Sequence, residues 1–476
     1  VTEPTDPTQR RAAAVDPAPK PSALHRALRP ARVLHARGPA SFLNLNLYSF
    51  GLTGLWTAVG SVILPLMVSD MIAREPIRFL GFEVQKNGAI SIIAITGGLV
   101  VGITQPLAGW LSDRTSSPLG KRLPYIAAGA IGLIPITIIL GGMDTFLPLI
   151  LIFIGIQFFG NLAQGPANAL LRDHVPTGQL GSASGGLILT RALGAGLVVA
   201  AVLGLMSNYD SASSPQWLWA SLAVVSAVVI ITVSWTFTSL RPRGAWRESG
   251  RPLVSIGAPS KPGPVVAPDV REETGQGFGL FLVALTIIVA GMSSMSVYAV
   301  FYMEDMVAPE NPAQGLLLVL AIMVPTVGLT VMPAGRLSDR IGRTRMLVVA
   351  GLLGAFGVLL LAFVPKLPIV LVAAIPIAIS IAASFTVLWA YANDLVAPGS
   401  AARDLGLTGL AFLVGGVLAR FAGFGVDALN NQSENLGYRV LLFIIAAAFI
   451  LMPIVLQRLS RHSQPLPSQD PGASTI

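Results

Sequence analysis

Two stretches decide how this chain is read. The first is Ser112-Asp-Arg-Thr-Ser-Ser-Pro-Leu-Gly-Lys-Arg-Leu-Pro-Tyr125, and part of it returns as Ser338-Asp-Arg-Ile-Gly-Arg-Thr-Arg345. Each copy is a short charged phrase between two long apolar runs, and the first carries extra residues, Thr115–Leu119. A second pair supports this repetition: Asp173-His-Val-Pro follows one apolar run and Asp394-Leu-Val-Ala-Pro follows another. Repeated phrases at matching places imply an internal duplication.

Working outward, a membrane helix needs roughly 20 mostly apolar residues. Twelve such runs are expected, near 42–68, 88–111, 124–143, 147–171, 182–206, 216–238, 278–303, 315–334, 346–364, 368–391, 405–427 and 438–457. A Pro-, Gly- and Arg-rich stretch without apolar period reads as a linker over 239–276. The expected organisation is therefore a disordered basic arm over 1–40, a six-helix half over 41–238, the linker, a second six-helix half over 277–458, and a tail over 459–476. The fold class is an all-α polytopic membrane protein, with twelve transmembrane helices in two pseudo-symmetric halves.

Composition agrees. The chain has 476 residues, 53% hydrophobic and 11% charged, where a soluble domain carries about 25% charged residues. Its net charge of +8 would suggest nucleic acid in a soluble protein; here the basic residues lie between apolar runs, so no nucleic-acid partner is expected. With the N-terminus inside, the arm, linker, tail and inner loops hold 24 of the 31 Lys and Arg residues. That bias puts both termini and the linker in the cytoplasm. There is no cysteine, and the four histidines lie outside the apolar runs. No metal, cofactor, nucleophile–base set or nucleotide loop is expected, so the chain does not read as an enzyme.

At these residues the sequence resembles the major facilitator superfamily. Gly335-Arg-Leu-Ser-Asp-Arg-Ile-Gly-Arg-Thr-Arg345 is similar to that superfamily's loop signature. Gly109-Trp-Leu-Ser-Asp-Arg-Thr with Gly120-Lys-Arg-Leu-Pro-Tyr125 resembles a narrower variant, that of the glycoside–pentoside–hexuronide and sucrose symporters. Asn161-Leu-Ala-Gln-Gly-Pro-Ala-Asn-Ala-Leu-Leu-Arg-Asp173 resembles their fourth helix. The resemblance implies the major facilitator fold and transport of a sugar or glycoside. The sequence departs from the plant-type sucrose symporters at Gln157, where they carry an acid. An amide does not carry a proton, so facilitation, exchange and coupling to H+ or Na+ through another residue all stay open.

The repeated phrase also has a physical reading. Gly109 and Gly335 would let helices approach closely. Asp113 and Asp339, expected just past their helix ends, are placed to accept hydrogen bonds from the positive N-terminus of a helix in the other half. Arg114, Lys121, Arg122, Arg340 and Arg343 can pair with carboxylates or helix carbonyls. Together they would form a gating latch on the cytoplasmic side. The competing reading is bare topology charge, which needs no repeated order of Gly, Asp and Arg.

For the substrate, the fourth run carries Gln157, Asn161, Gln164 and Asn168 at helical spacing, on one face. Such amides must meet protein or a wet cavity. The matching positions of the tenth run are Ala378, Ala382, Phe385 and Trp389, so the stripe belongs to one half. Packing between helices is the competing reading. Trp56 is near mid-depth and either stacks on a sugar or packs. Arg191 and Arg420 are deep charges, hence functional candidates. The expectation is a small-molecule transporter in the lipid bilayer of a bacterial inner membrane, working by alternating access, as a monomer since one chain supplies both halves. The alternatives are an organic-anion or amphipathic-metabolite transporter and a non-transporting receptor.

Overall fold

The computed structural model describes residues 42–174, 180–240, 273–395 and 401–462. The expected arm, most of the linker and most of the tail lie outside them. The described residues hold twelve helices long and apolar enough to cross a membrane. Helix α1 runs Phe42–Ala58, passes through a π-helical turn at Val59–Ile63 and continues over Leu64–Arg74. Then follow α2 (Lys86–Arg114), α3 (Leu123–Ile139), α4 (Phe146–His174), α5 (Leu180–Met206) and α6 (Gln216–Leu240). Helix α7 (Glu273–Val297) is extended by Ala299–Tyr302 and a π-helical turn, Met303–Val307. The set ends with α8 (Pro312–Ile341), α9 (Arg343–Phe363), α10 (Leu367–Leu395), α11 (Ala401–Asn430) and α12 (Leu436–His462).

Local chemistry sets several boundaries. Asn311 caps α8 by accepting from the Gln314 N–H at 3.0 Å, with Pro312 opening the helix. Gly342, at φ 93°, ends α8 where a side chain would be strained. The repeated phrase differs from expectation here. Asp113 and Asp339 lie in the last turns of α2 and α8, which continue to Arg114 and Ile341 and end at the C-cap residues Thr115 and Gly342. One element was not anticipated. Ile77–Phe79 (β1) pairs antiparallel with Phe82–Val84 (β2) around Leu80 and Gly81, both at positive φ. That is the geometry of a two-residue hairpin turn.

The duplication is visible in the packing. In the first half α1 packs on α5 and α6, α2 on α4, and α3 on α4 and α6; the second half repeats each pair six helices on. Backbones come close at related places. A Cβ on Gly194 of α5 would sit 2.2 Å from the Phe50 carbonyl oxygen, and one on Gly415 of α11 would sit 2.8 Å from that of Thr286. The halves meet through α1 with α7, α2 with α11, and α5 with α8. Large apolar side chains such as Leu99, Ile103, Ile131, Leu329 and Ile444 stay exposed, as a lipid-facing surface requires.

Candidate functional site: a polar seam between two halves

The bundle has two ends, the hairpin end, bearing β1 and β2, and the repeat end, bearing the two charged phrases. At the hairpin end the halves are bonded to each other. Lys86, the first residue of α2, pairs with Glu304 at 3.1 Å and with Asp305, both in the turn that ends α7. Ser69 of α1 also donates to Glu304, at 2.7 Å. One layer deeper, Asp427 of α11 accepts from Asn87 Nδ2 at 2.8 Å and from the Gly88 N–H at 2.5 Å. Tyr438 joins the layer, donating to Asp305 at 2.6 Å and accepting from Asn87 at 3.0 Å. Below it, Ser91 and Tyr298 share a hydrogen bond of 3.1 Å, and the Gly423 N–H donates to Tyr298 at 2.8 Å.

The helix N-terminus explains this layer. The side chain of Gln85, at the N-cap of α2, makes no capping bond. The free N–H groups of the first turn carry partial positive charge, and Asp427 from the other half supplies the cap. A cavity of about 310 Å³ adjoins it, lined by Lys86, Asn87, Asp305, Asp427, Glu434 and Asn435 among others.

At the repeat end the charged contacts found among the described residues stay within one half. Arg122 lies 2.6 Å from Asp113 and 2.8 Å from Asp173, and also donates to Ser112. Burial works against its charge, but the hydrogen bonds and charges of Asp173 and Asp113 more than offset this and raise its pKa. Arg114 stacks on Trp110 of its own helix, 4.0 Å from the ring. Arg343 donates to the Ala390 carbonyl in its own half. Lys121, Asp339 and Arg340 are exposed. Thr115–Leu119 form a compact turn: the Gly120 N–H donates to the Ser117 carbonyl at 2.9 Å, and the Thr115 and Tyr125 hydroxyls are 2.8 Å apart. The expected close approach at Gly109 is made from the other side. A Cβ on Gly109 or Gly335 would meet no crowding, whereas one on Gly165 of α4 would sit 2.5 Å from the Gln105 carbonyl oxygen.

The α4 stripe forms one connected set. Asn161 donates to the Gln157 carbonyl at 2.8 Å and to its side-chain oxygen at 3.3 Å. Gln164 donates to Asn168 at 2.6 Å, and Arg191 of α5 donates to the same oxygen at 2.9 Å. The Tyr48 hydroxyl of α1 lies within electrostatic reach of Arg191. Asn161 and Gln164 are buried, while Asn168 is exposed and Gln157 and Arg191 partly so. Trp56 packs on α4: a Cβ on Gly160 would touch its indole at 2.9 Å. Among the described residues the indole N–H and the Gln164 side-chain oxygen have no hydrogen-bond partner.

Arg420 lies apart, in the other half. It donates to the Gly416 carbonyl of its own helix at 2.7 Å, and its Nε has no partner among the described residues. It shares a helix face with Gly423 and Asp427, three and seven residues on. So the structure groups Gln157, Asn161, Gln164 and Arg191, adds Asn168, sets Trp56 against them, and leaves Arg420 below the sealed layers. Asp427 and Glu304 are site residues that the sequence reading did not single out. Asn87 is 340 positions from Asp427, and no local pattern announces such a pair.

Two duplicated six-helix halves around a polar seam define a polytopic carrier. The chain belongs to the Major Facilitator Superfamily, which matches it over residues 41–420 and again over 280–475. It is a transporter, not an enzyme. It resembles the solved nucleoside transporter NupG at 14% identity, covering 88% of this chain and 99% of that one, with a TM-score of 0.60. It also resembles a bacterial homolog of the human lysosomal transporter Spinster in an inward-facing and occupied conformation, at 14% identity, 88% and 96% coverage and a TM-score of 0.63. A peptide transporter, POT, in complex with sulfate gives 13% identity, 88% and 95% coverage, and a TM-score of 0.63. At these identities the likeness is one of fold. No curated protein matches the sequence.

Proposed function

We propose that this carrier moves a small neutral polyhydroxylated solute, a sugar or glycoside, by alternating access in a bacterial inner membrane. The observation that carries the substrate class is the α4 face with Arg191. Amides supply the paired donors and acceptors that hydroxyls need, and Arg191 is engaged by the neutral Asn168 rather than by a carboxylate. The sugar-symporter resemblance of the first phrase and of α4 points the same way. The repeat end is assigned to the cytoplasm by its Lys and Arg content. With the hairpin end bonded across the seam and the repeat-end contacts lying within single halves, this arrangement is the state closed to the outside.

A second reading, an organic anion, is favoured by Arg420. Its guanidinium faces the seam with one own-helix hydrogen bond and no carboxylate among the described residues. Calorimetry on the purified protein separates the two, with one panel of sugars and one of carboxylates and phosphates. The expected result is sugar binding that survives Arg191→Lys with modest loss. Anion binding abolished by Arg420→Gln, with no sugar binding, would replace the first reading by the second. Losing a buried charge-assisted contact costs about 1.5–3 kcal/mol, roughly ten- to a hundredfold in affinity.

A further inference from the structure

At the hairpin end, two kinds of charged contact hold one half to the other. The rim contact is Lys86 with Glu304 and Asp305, whose side chains are 22%, 18% and 30% exposed. The inner contact is Asp427, 9% exposed, seated on the first turn of α2. The first kind is screened by water and salt. The second combines two short charge-assisted hydrogen bonds with the helix dipole in a site largely shielded from water.

We propose that Asp427 is a positioning residue of the transport cycle. As a charged cap on the N-terminus of α2, it sets the balance between the state sealed at the hairpin end and the state open there. This rests on the reading that the two halves rock against each other, and on no assumption about the solute.

Four observations support the assignment. First, the cap crosses the seam: donor and acceptor belong to different halves, so they part when the halves part. Second, α2 has no capping side chain of its own at Gln85, so its first turn depends on Asp427 in this state. Third, the other charged and ionisable groups around Asp427 are already engaged. Lys86 is taken by Glu304 and Asp305, and the Tyr438 hydroxyl donates its hydrogen bond to Asp305. Tyr298 bonds Ser91 and the carbonyls of Ala419 and Arg420, Arg420 donates to Gly416, and Glu434 is exposed at the cavity rim. Asp427 is therefore held directly by neutral donors and the dipole, with Lys86 acting on it only at longer range. Fourth, the adjoining cavity of about 310 Å³ lets water reach both partners when they part. The contact is thus strong enough to bias the two states and weak enough to reverse.

The test uses the full chain in lipid nanodiscs. The absence of native cysteine allows spin labels at Thr145 and Ser433, exposed turns of opposite halves at the hairpin end. Electron–electron resonance distances then report the ratio of open to sealed protein. Asp427→Asn keeps the shape and removes the charge; it is expected to raise that ratio by about tenfold to a hundredfold. Lys86→Met removes the rim contact and, at Asp427, only a longer-range charge that makes no hydrogen bond to it; it is expected to raise the ratio a few-fold at most. Asn87→Ala removes one donor from the other half, gives an intermediate shift, and stands in if Asp427→Asn does not fold. A ratio unchanged by both Asp427→Asn and Asn87→Ala, or moved more by Lys86→Met, overturns the proposal. If Lys86→Met and Asn87→Ala move the ratio while Asp427→Asn does not, the rocking reading stands and this assignment falls. If a single distance persists in parent and variants alike, the rocking reading falls with it.

Discussion

At the hairpin end Lys86 of one half meets Glu304 and Asp305 of the other, and Asp427 caps a helix across the seam. At the repeat end Arg122 meets Asp113 and Asp173 of its own half, and Arg343 bonds its own neighbour on α10. Both ends use carboxylates, cations and helix termini. What differs is whether the partners belong to the same half. Within one half such a pair is part of the folded unit and persists as the halves move. Across the seam it belongs to one state of the cycle. In this state, therefore, the contacts of the repeated phrase are internal to each half. A latch built from the phrase, the reading proposed for it, would form only in the state in which the repeat end closes.

The largest effect expected comes from making the hairpin-end contact permanent. Ser61 of α1 and Ser296 of α7 have hydroxyls 3.2 Å apart across the seam. Cysteines at both positions, joined by a short bifunctional thiol reagent, should abolish transport in proteoliposomes of the solute found by calorimetry. Full transport after complete cross-linking would mean that this end need not part. Next in size is Asp113→Asn. Without its charge the repeat end should close less well, lowering transport about tenfold, on the scale of one charge-assisted hydrogen bond. The hairpin-sealed share should rise at the same time. Parental transport rates in this variant would reduce the phrase to a topology signal.

Arg122→Gln should act mainly on stability. Its two carboxylate partners are 61% and 39% exposed, so the loss is about 1 kcal/mol, read as a small drop in melting temperature. A drop several times larger would show that the triad anchors the first half. The smallest effect is expected in the α5–α6 turn. There Asp210 accepts from the Ser213 N–H and hydroxyl and from the Ala212 N–H, which hold its pKa below the usual range. A depressed carboxylate stabilises above its unfolded pKa, and that contribution is lost as pH falls through the folded value. The turn should therefore keep its protection from hydrogen exchange between about pH 8 and pH 5. Loosening within that window would contradict this sign. Assignment of the ends has its own check: a cysteine at Ser116 should react with an impermeant reagent from the cytoplasmic side, and one at Thr145 from outside.

How much of this was legible beforehand follows from the range of each interaction. The twelve spans are local, since each is a run of apolar residues set by bilayer thickness, and the observed helices extend past the expected ends mainly where polar residues continue the last turn. Arg114 on α2 and Arg74 on α1 are such cases. The α4 stripe was legible as a 3.6-residue period, and its amides were one of three partners open to Arg191, beside backbone carbonyls and an anionic substrate; the choice of Asn168 was not legible, because the two residues sit on different helices. The hairpin had a weak local sign in Ile77-Arg-Phe79 and Phe82-Glu-Val84 around Leu80-Gly81. Lys86 read as a loop charge. Only the packing of α2 on α11 turns it and Asn87 into parts of a seal.

The cavity beside Asp427 has a consequence for energetics. It adjoins the residue from the hairpin side while the cap is in place, and parting of the halves exposes Asp427 to that same side. Any proton it exchanges over a cycle is drawn from, and returned to, one bath. Such an exchange extracts no work from a transmembrane gradient. Asp427 thus governs how quickly the carrier turns over, and leaves untouched the ratio of solute concentrations at which net flow stops.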